Sequence, residues 1–82
     1  QASFKGCSLK EVGFEDADME EAIFDDADLM MATFRNTNLS GADLSSASNY
    51  NINVMANRLK KAKFSLPEAV SLLYAMDVEI KS

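Results

Sequence analysis

Eighty-two residues with a formal net charge of −5, one cysteine and no histidine make at most one small domain, without an intramolecular disulfide or a cysteine–histidine zinc site. No apolar run approaches the roughly 20 residues of a membrane-spanning helix. The acidic balance disfavours direct nucleic-acid binding, which rests on basic contacts to phosphates.

A core this small is marginal unless it is very regular or shared with a second copy. The chain opens at Gln1 with its repeat already in phase at Ala2, which reads as a piece of a longer protein. A lone Cys7 and the absence of a membrane span point to a reducing, cytoplasmic setting. Charge is unevenly placed: residues 1–47 carry three Lys/Arg against ten Asp/Glu, and residues 48–82 carry five against three.

From the N-terminus, large apolar residues recur at every fifth position: Phe4, Leu9, Phe14, Met19, Phe24, Leu29, Phe34, Leu39 and Leu44. Two places before each stands a small or β-branched residue: Ala2, Cys7, Val12, Ala17, Ala22, Ala27, Ala32, Thr37 and Ala42. Five residues turn an α-helix by about 500° and reverse the face of a flat strand, so neither element keeps these side chains together. A helical stripe through Met19, Ala22, Ile23, Ala27 and Met30 explains only part of the chain. The period fits if each pentad is one short side ending in a corner, four pentads closing a coil with both apolar positions inward. Residue n then stacks on n+20, about 4.8 Å away.

The columns predicted are Phe4, Phe24, Leu44 and Phe64; Leu9, Leu29 and Asn49; Phe14, Phe34 and Val54; and Met19, Leu39 and Leu59. Ala62 and Phe64 return to phase after an irregular stretch in which Asn49, Tyr50 and Asn57 distort the coil. Cys7, in an inward slot, is expected to be a buried and inert packing group.

The segments "ADLMM", "TNLSG" and "ADLSS" resemble the A(D/N)LXX repeat of the bacterial pentapeptide-repeat family, cleanly over residues 2–46 and loosely over 47–66. The resemblance implies an all-β solenoid: a right-handed quadrilateral β-helix, here of about three coils over residues 1–66, with a C-terminal capping α-helix and short strand over 67–82. It also implies that Asp18 and Asp28 serve the coil's own turns.

The cap is legible in the residues themselves. Ser65-Leu66-Pro67-Glu68 has capping-box spacing, with Ser65 or Leu66 as N-cap and a helix running to about Met76. Leu66, Ala69, Val70, Leu73 and Met76 form the stripe expected to plug the coil end. The surplus at Leu72, Tyr74, Ala75, Val78 and Ile80 suggests homodimer contacts, with Asp77-Val78-Glu79-Ile80 as a short pairing strand.

The strongest chemical signal is acidic. Glu15, Asp16, Glu20, Glu21, Asp25 and Asp26 fall on outward positions and form a candidate protein-interaction surface, partly neutralised by Arg35 over Glu15 and Lys5 below Asp25. Without histidine or a concave pocket, no catalytic, cofactor or metal site is expected, and the reading is a non-catalytic scaffold or protein-interaction module. Some members of the family protect DNA gyrase from quinolones or toxins by imitating the DNA duplex. The resemblance therefore implies a second possibility, a gyrase-protecting rod that dimerises by its C-terminus.

Overall fold

The computed structural model describes residues 2–78. The chain winds into parallel coils of twenty residues, four pentads to a coil. Parallel bridges join Ser3 to Ile23, Ile23 to Asp43 and Asp43 to Lys63 on one side, Ser8 to Asp28 and Asp28 to Ser48 on the next, and Asp18 to Asn38 and Asn38 to Arg58 on a third. The remaining side carries the only two regular strands among the described residues, β1 (Gly13–Glu15) and β2 (Thr33–Arg35), paired in parallel with Phe14 opposite Phe34. Strand content is low because each side lasts only about three residues before the chain corners.

The corners explain why five residues suffice. At Gly6, Glu11, Asp16, Glu21, Asp26, Met31, Asn36 and Gly41 the backbone is left-handed, with φ between 51° and 70°. On three of the four sides a turn bond closes the corner, as from Cys7 N–H to Phe4 C=O at 3.0 Å and from Ala27 N–H to Phe24 C=O at 3.0 Å. A four-residue turn whose third residue has positive φ is a type II arrangement. Where the residue before the large one is Asp or Asn, its side chain secures the side. Asp18, Asp28, Asn38 and Asp43 each accept, through Oδ1, the N–H two residues on, at 3.0–3.1 Å. Asp18 and Asp28 therefore serve the turns, as expected.

On the strand-bearing side no turn bond closes, and the next coil supplies a side chain instead. Thr37 donates its hydroxyl to the Phe14 carbonyl, and Asn57 Nδ2 donates to the Phe34 carbonyl at 3.0 Å.

The core is the stack of inward columns. Phe24, Leu29, Leu39 and Leu44 are fully buried, with Ala22, Ala27 and Ala42 beside them. Phe14 stacks on Phe34 with ring centroids 4.9 Å apart, Phe4 on Phe24 at 5.2 Å, and the two columns meet edge to face. Cys7 corrects its expectation: it is exposed, as are Ala2 and Val12, because no coil in the structure lies beneath the first one.

The third coil departs from the predicted columns. Asn49 is exposed and left-handed (φ 61°), two residues ahead of where the period puts a corner, and its amide donates to Asp28 Oδ1 at 3.0 Å. Asparagine tolerates this conformation better than most residues. The early corner turns Tyr50 and Ile52 inward, where both are buried, and leaves Val54 only half-buried. The bridges at Ser48 and Arg58 show that the count of twenty is kept while the path between them changes.

The C-terminal helix is shorter than predicted: α1 spans Val70–Tyr74, flanked by hydrogen-bonded turns, with Ala69 as N-cap and no side-chain cap. Ser65 does not cap it, because the Ser65 hydroxyl donates to the Ser45 carbonyl one coil below. The stripe assignment is also corrected. Leu72 packs against the core, while Leu66, Leu73 and Met76 are exposed. The bond from Ser71 Oγ to the Tyr50 carbonyl at 3.2 Å helps hold this rotation. Asp77 lies in a turn and Val78 in no strand; Glu79 and Ile80 lie outside the described residues.

Candidate interaction surface

The acidic residues sit where a regular coil must put them, next to or at a corner. Glu15 and Asp16, Glu20 and Glu21, and Asp25 and Asp26 occupy three successive corners, so the six form a belt that wraps the rod rather than one flat wall. Five of them are exposed and Asp25 is half-buried.

Stacking sets the electrostatics of the belt. Glu15 pairs in register with Arg35, and backbone bonds from Phe4 and Gly6 to Ile23 and Asp25 place Lys5 beneath Asp25. Yet no ion pair within 4 Å forms at these positions among the described residues; the one present joins Lys10 Nζ to Asp28 Oδ2 at 3.6 Å. Register alone does not neutralise the belt, because flexible exposed side chains gain little from pairing in water. Asp16 is partly engaged, accepting a bond from Asn36 Nδ2 at 2.7 Å. Above Glu20 and Glu21 lie Ser40 and Gly41, and above those Lys60 and Lys61, which line one shallow hollow with them. Among the described residues no three carboxylates converge on a common point that could hold a metal ion.

Two aspartates are shifted by the coil's own bonds. The Asn49 amide, then the Met30 N–H, holds the Asp28 carboxyl below its ordinary value; the Ser45 hydroxyl, then its N–H, does the same for Asp43. These shifts stabilise corners and mark no reactive group.

The candidate dimer residues divide. Leu72 is taken by the chain's own coil end and Ala75 is half-buried, whereas Tyr74 (60% exposed) and Val78 lie open beside Leu73 and Met76. Ile80 lies outside the described residues.

A groove between β2 and the turns around α1, about 780 Å³, was not anticipated. Met30, Met31 and Phe34 line one side and Tyr50, Asn53 and Glu68 the other. Tyr50 is 3% exposed and its hydroxyl has no partner among the described residues; burial, and after it the nearby Glu68 charge, pushes its pKa up. The run of asparagines at 49, 51, 53 and 57 was the available signal, since it breaks the repeat where the groove opens.

A family profile described as Pentapeptide repeats matches eight copies, over residues 1–35 and 14–48. Solved structures of QnrB1, a plasmid-mediated fluoroquinolone resistance protein, are similar. The M102R trypsin-treated form is 17% identical with a TM-score of 0.49, covering 98% of this chain and 45% of that one. The full-length form is 16% identical with a TM-score of 0.48, covering 93% and 43%. The chain thus spans less than half the length of those structures. No curated protein matches it. With its repeats matched across residues 1–48 and stacked at twenty-residue intervals into the right-handed β-helix such repeats build, the chain belongs to the pentapeptide-repeat family.

Proposed function

We propose that the chain is a non-catalytic protein-interaction module whose acidic belt docks a basic protein surface. One observation carries this reading: six carboxylates are held at three successive corners of a rigid coil, none of them in an ion pair within 4 Å among the described residues. A fixed array of one sign raises the encounter rate and selects against acidic partners. Copies of the chain pair through the outer face of the cap, where Leu73, Tyr74, Met76 and Val78 are exposed together. Reversing Glu15, Glu20, Glu21 and Asp25 to Lys abolishes capture of the partner that the native chain enriches; unchanged capture removes the belt from the interface.

A second reading follows from the belt's single sign and from the likeness to a fluoroquinolone resistance protein: a DNA-imitating protector of DNA gyrase. Charge density limits it. The molecule is 36 Å long, a length over which a duplex carries about 20 phosphate charges, against a net −5 here. This chain would contribute one end of such a rod. Gyrase supercoiling in the presence of a quinolone decides the matter: no protection by the full-length protein at micromolar dose removes this reading.

A further inference from the structure

We propose that the groove beside β2 binds an extended peptide segment of a partner protein, added as a parallel strand to the free edge of β2, with a basic side chain toward Glu68 and an aliphatic one against Met30, Met31 and Phe34. None of the residues lining this groove belongs to the acidic belt, so the two surfaces stand or fall separately.

The first observation is an interrupted ladder. On the other sides one residue of the upper coil makes two bonds to the coil below. The Asp43 N–H donates to the Ala22 carbonyl at 2.9 Å while its carbonyl accepts from the Phe24 N–H at 3.0 Å. Ser48 does the same for Ala27 and Leu29, at 3.0 and 2.9 Å. On the β2 side the early corner at Asn49 carries residues 50–53 off this path. Among the described residues the Ala32 carbonyl and Phe34 N–H, the equivalent pair, have no backbone partner above them. Both residues line the groove. Unpaired ladder groups at a sheet edge are a template for a further strand, and one residue of an incoming segment satisfies both.

The second observation is Tyr50. Its side chain is buried at the groove, yet its hydroxyl has no hydrogen-bond partner among the described residues. Buried polar groups in folded proteins are nearly always paired, and the exceptions call for an occupant or a function. The third is charge: among the described residues Glu68 is the only ionisable acid or base lining the groove apart from the Tyr50 phenol, so a cationic side chain is the complementary one. Met30 and Met31 supply adaptable apolar walls.

The test is an amide-resolved NMR titration of the chain with an acetylated, amidated heptapeptide, Thr-Lys-Thr-Ile-Thr-Val-Thr. The Phe34 and Thr33 amides are expected to shift and saturate, with Phe34 exchange slowed. Replacing the peptide Lys by Glu, or N-methylating its central amides, weakens binding at least several-fold. Tyr50→Phe weakens it about fivefold, the loss of one net hydrogen bond. Glu68→Gln removes the preference for Lys over Glu while the fold stays intact. The proposal is overturned if groove amides do not move at millimolar peptide, or if N-methylation leaves affinity unchanged. It is likewise overturned if shifts fall on the acidic corners and survive Glu68→Gln, or if concentrating the chain alone produces the groove shifts, which would make a second copy the occupant.

Discussion

The hydroxyl of Thr37 donates to the carbonyl of Phe14, one coil below, and so replaces the turn bond that closes the corners on the other sides. Thr37→Val removes this bond from inside the stack, where Thr37 is buried. A loss of about 1–3 kcal/mol is expected in urea unfolding, whereas Thr37→Ser retains most of the stability. Equal losses for both substitutions would show that the methyl group rather than the hydroxyl matters here.

Leu72 rather than Leu73 closes the coil end. Leu72→Asp is expected to destabilise the chain by about 2 kcal/mol, combining lost apolar burial with an unpaired charge against the core. Leu73→Asp is expected to leave thermal unfolding nearly unchanged and, if the outer face pairs copies, to shift sedimentation toward monomer. Destabilisation by Leu73→Asp alone would reverse the assignment.

Left-handed corners give glycine a defined value. Gly41 has φ 70°, and a Cβ there would stand 3.2 Å from the Glu21 Cγ, so Gly41→Ala costs about 1–2 kcal/mol. Glu11, exposed and at φ 64°, is the converse: Glu11→Gly relieves strain and raises stability by up to about 1 kcal/mol. Chemical denaturation of the two variants, read as opposite shifts in midpoint, checks the conformational argument independently of any side-chain contact.

The pH dependence follows from the same corners. The Asp28 and Asp43 carboxyls titrate below their ordinary value of 3.8 in the folded chain. The folded state therefore binds fewer protons there than the unfolded chain, and the contribution is present above about pH 4. It is lost as the pH falls through the lowered values. Tyr50 has the opposite sign: its raised folded value makes its contribution complete below pH 10, and it is lost as the pH rises beyond that. Tyr50→Phe removes the alkaline loss and, by deleting an unpaired buried hydroxyl, stabilises the chain near neutrality. Unfolding midpoints measured at pH 3, 7 and 10.5 separate these contributions.

The coil was legible from the residues because its information is local and redundant. Each pentad repeats the same inward pair, Asp18, Asp28 and Asp43 each secure their own turn, and any two matching rungs such as Phe14 and Phe34 reinforce the period. The acidic corners were legible for the same reason, since an outward slot needs only its place in the five. Tertiary structure alone decided three things. Cys7 is exposed because burial requires a coil beneath it as well as an inward slot. Asn49 takes a corner two places early, where its amide bonds Asp28 one coil below. Leu72 faces the coil end because two apolar stripes run along the same short segment, and hydrophobicity cannot choose between them. That choice rests on long-range contacts such as Ser71 with Tyr50, which no period in the chain encodes.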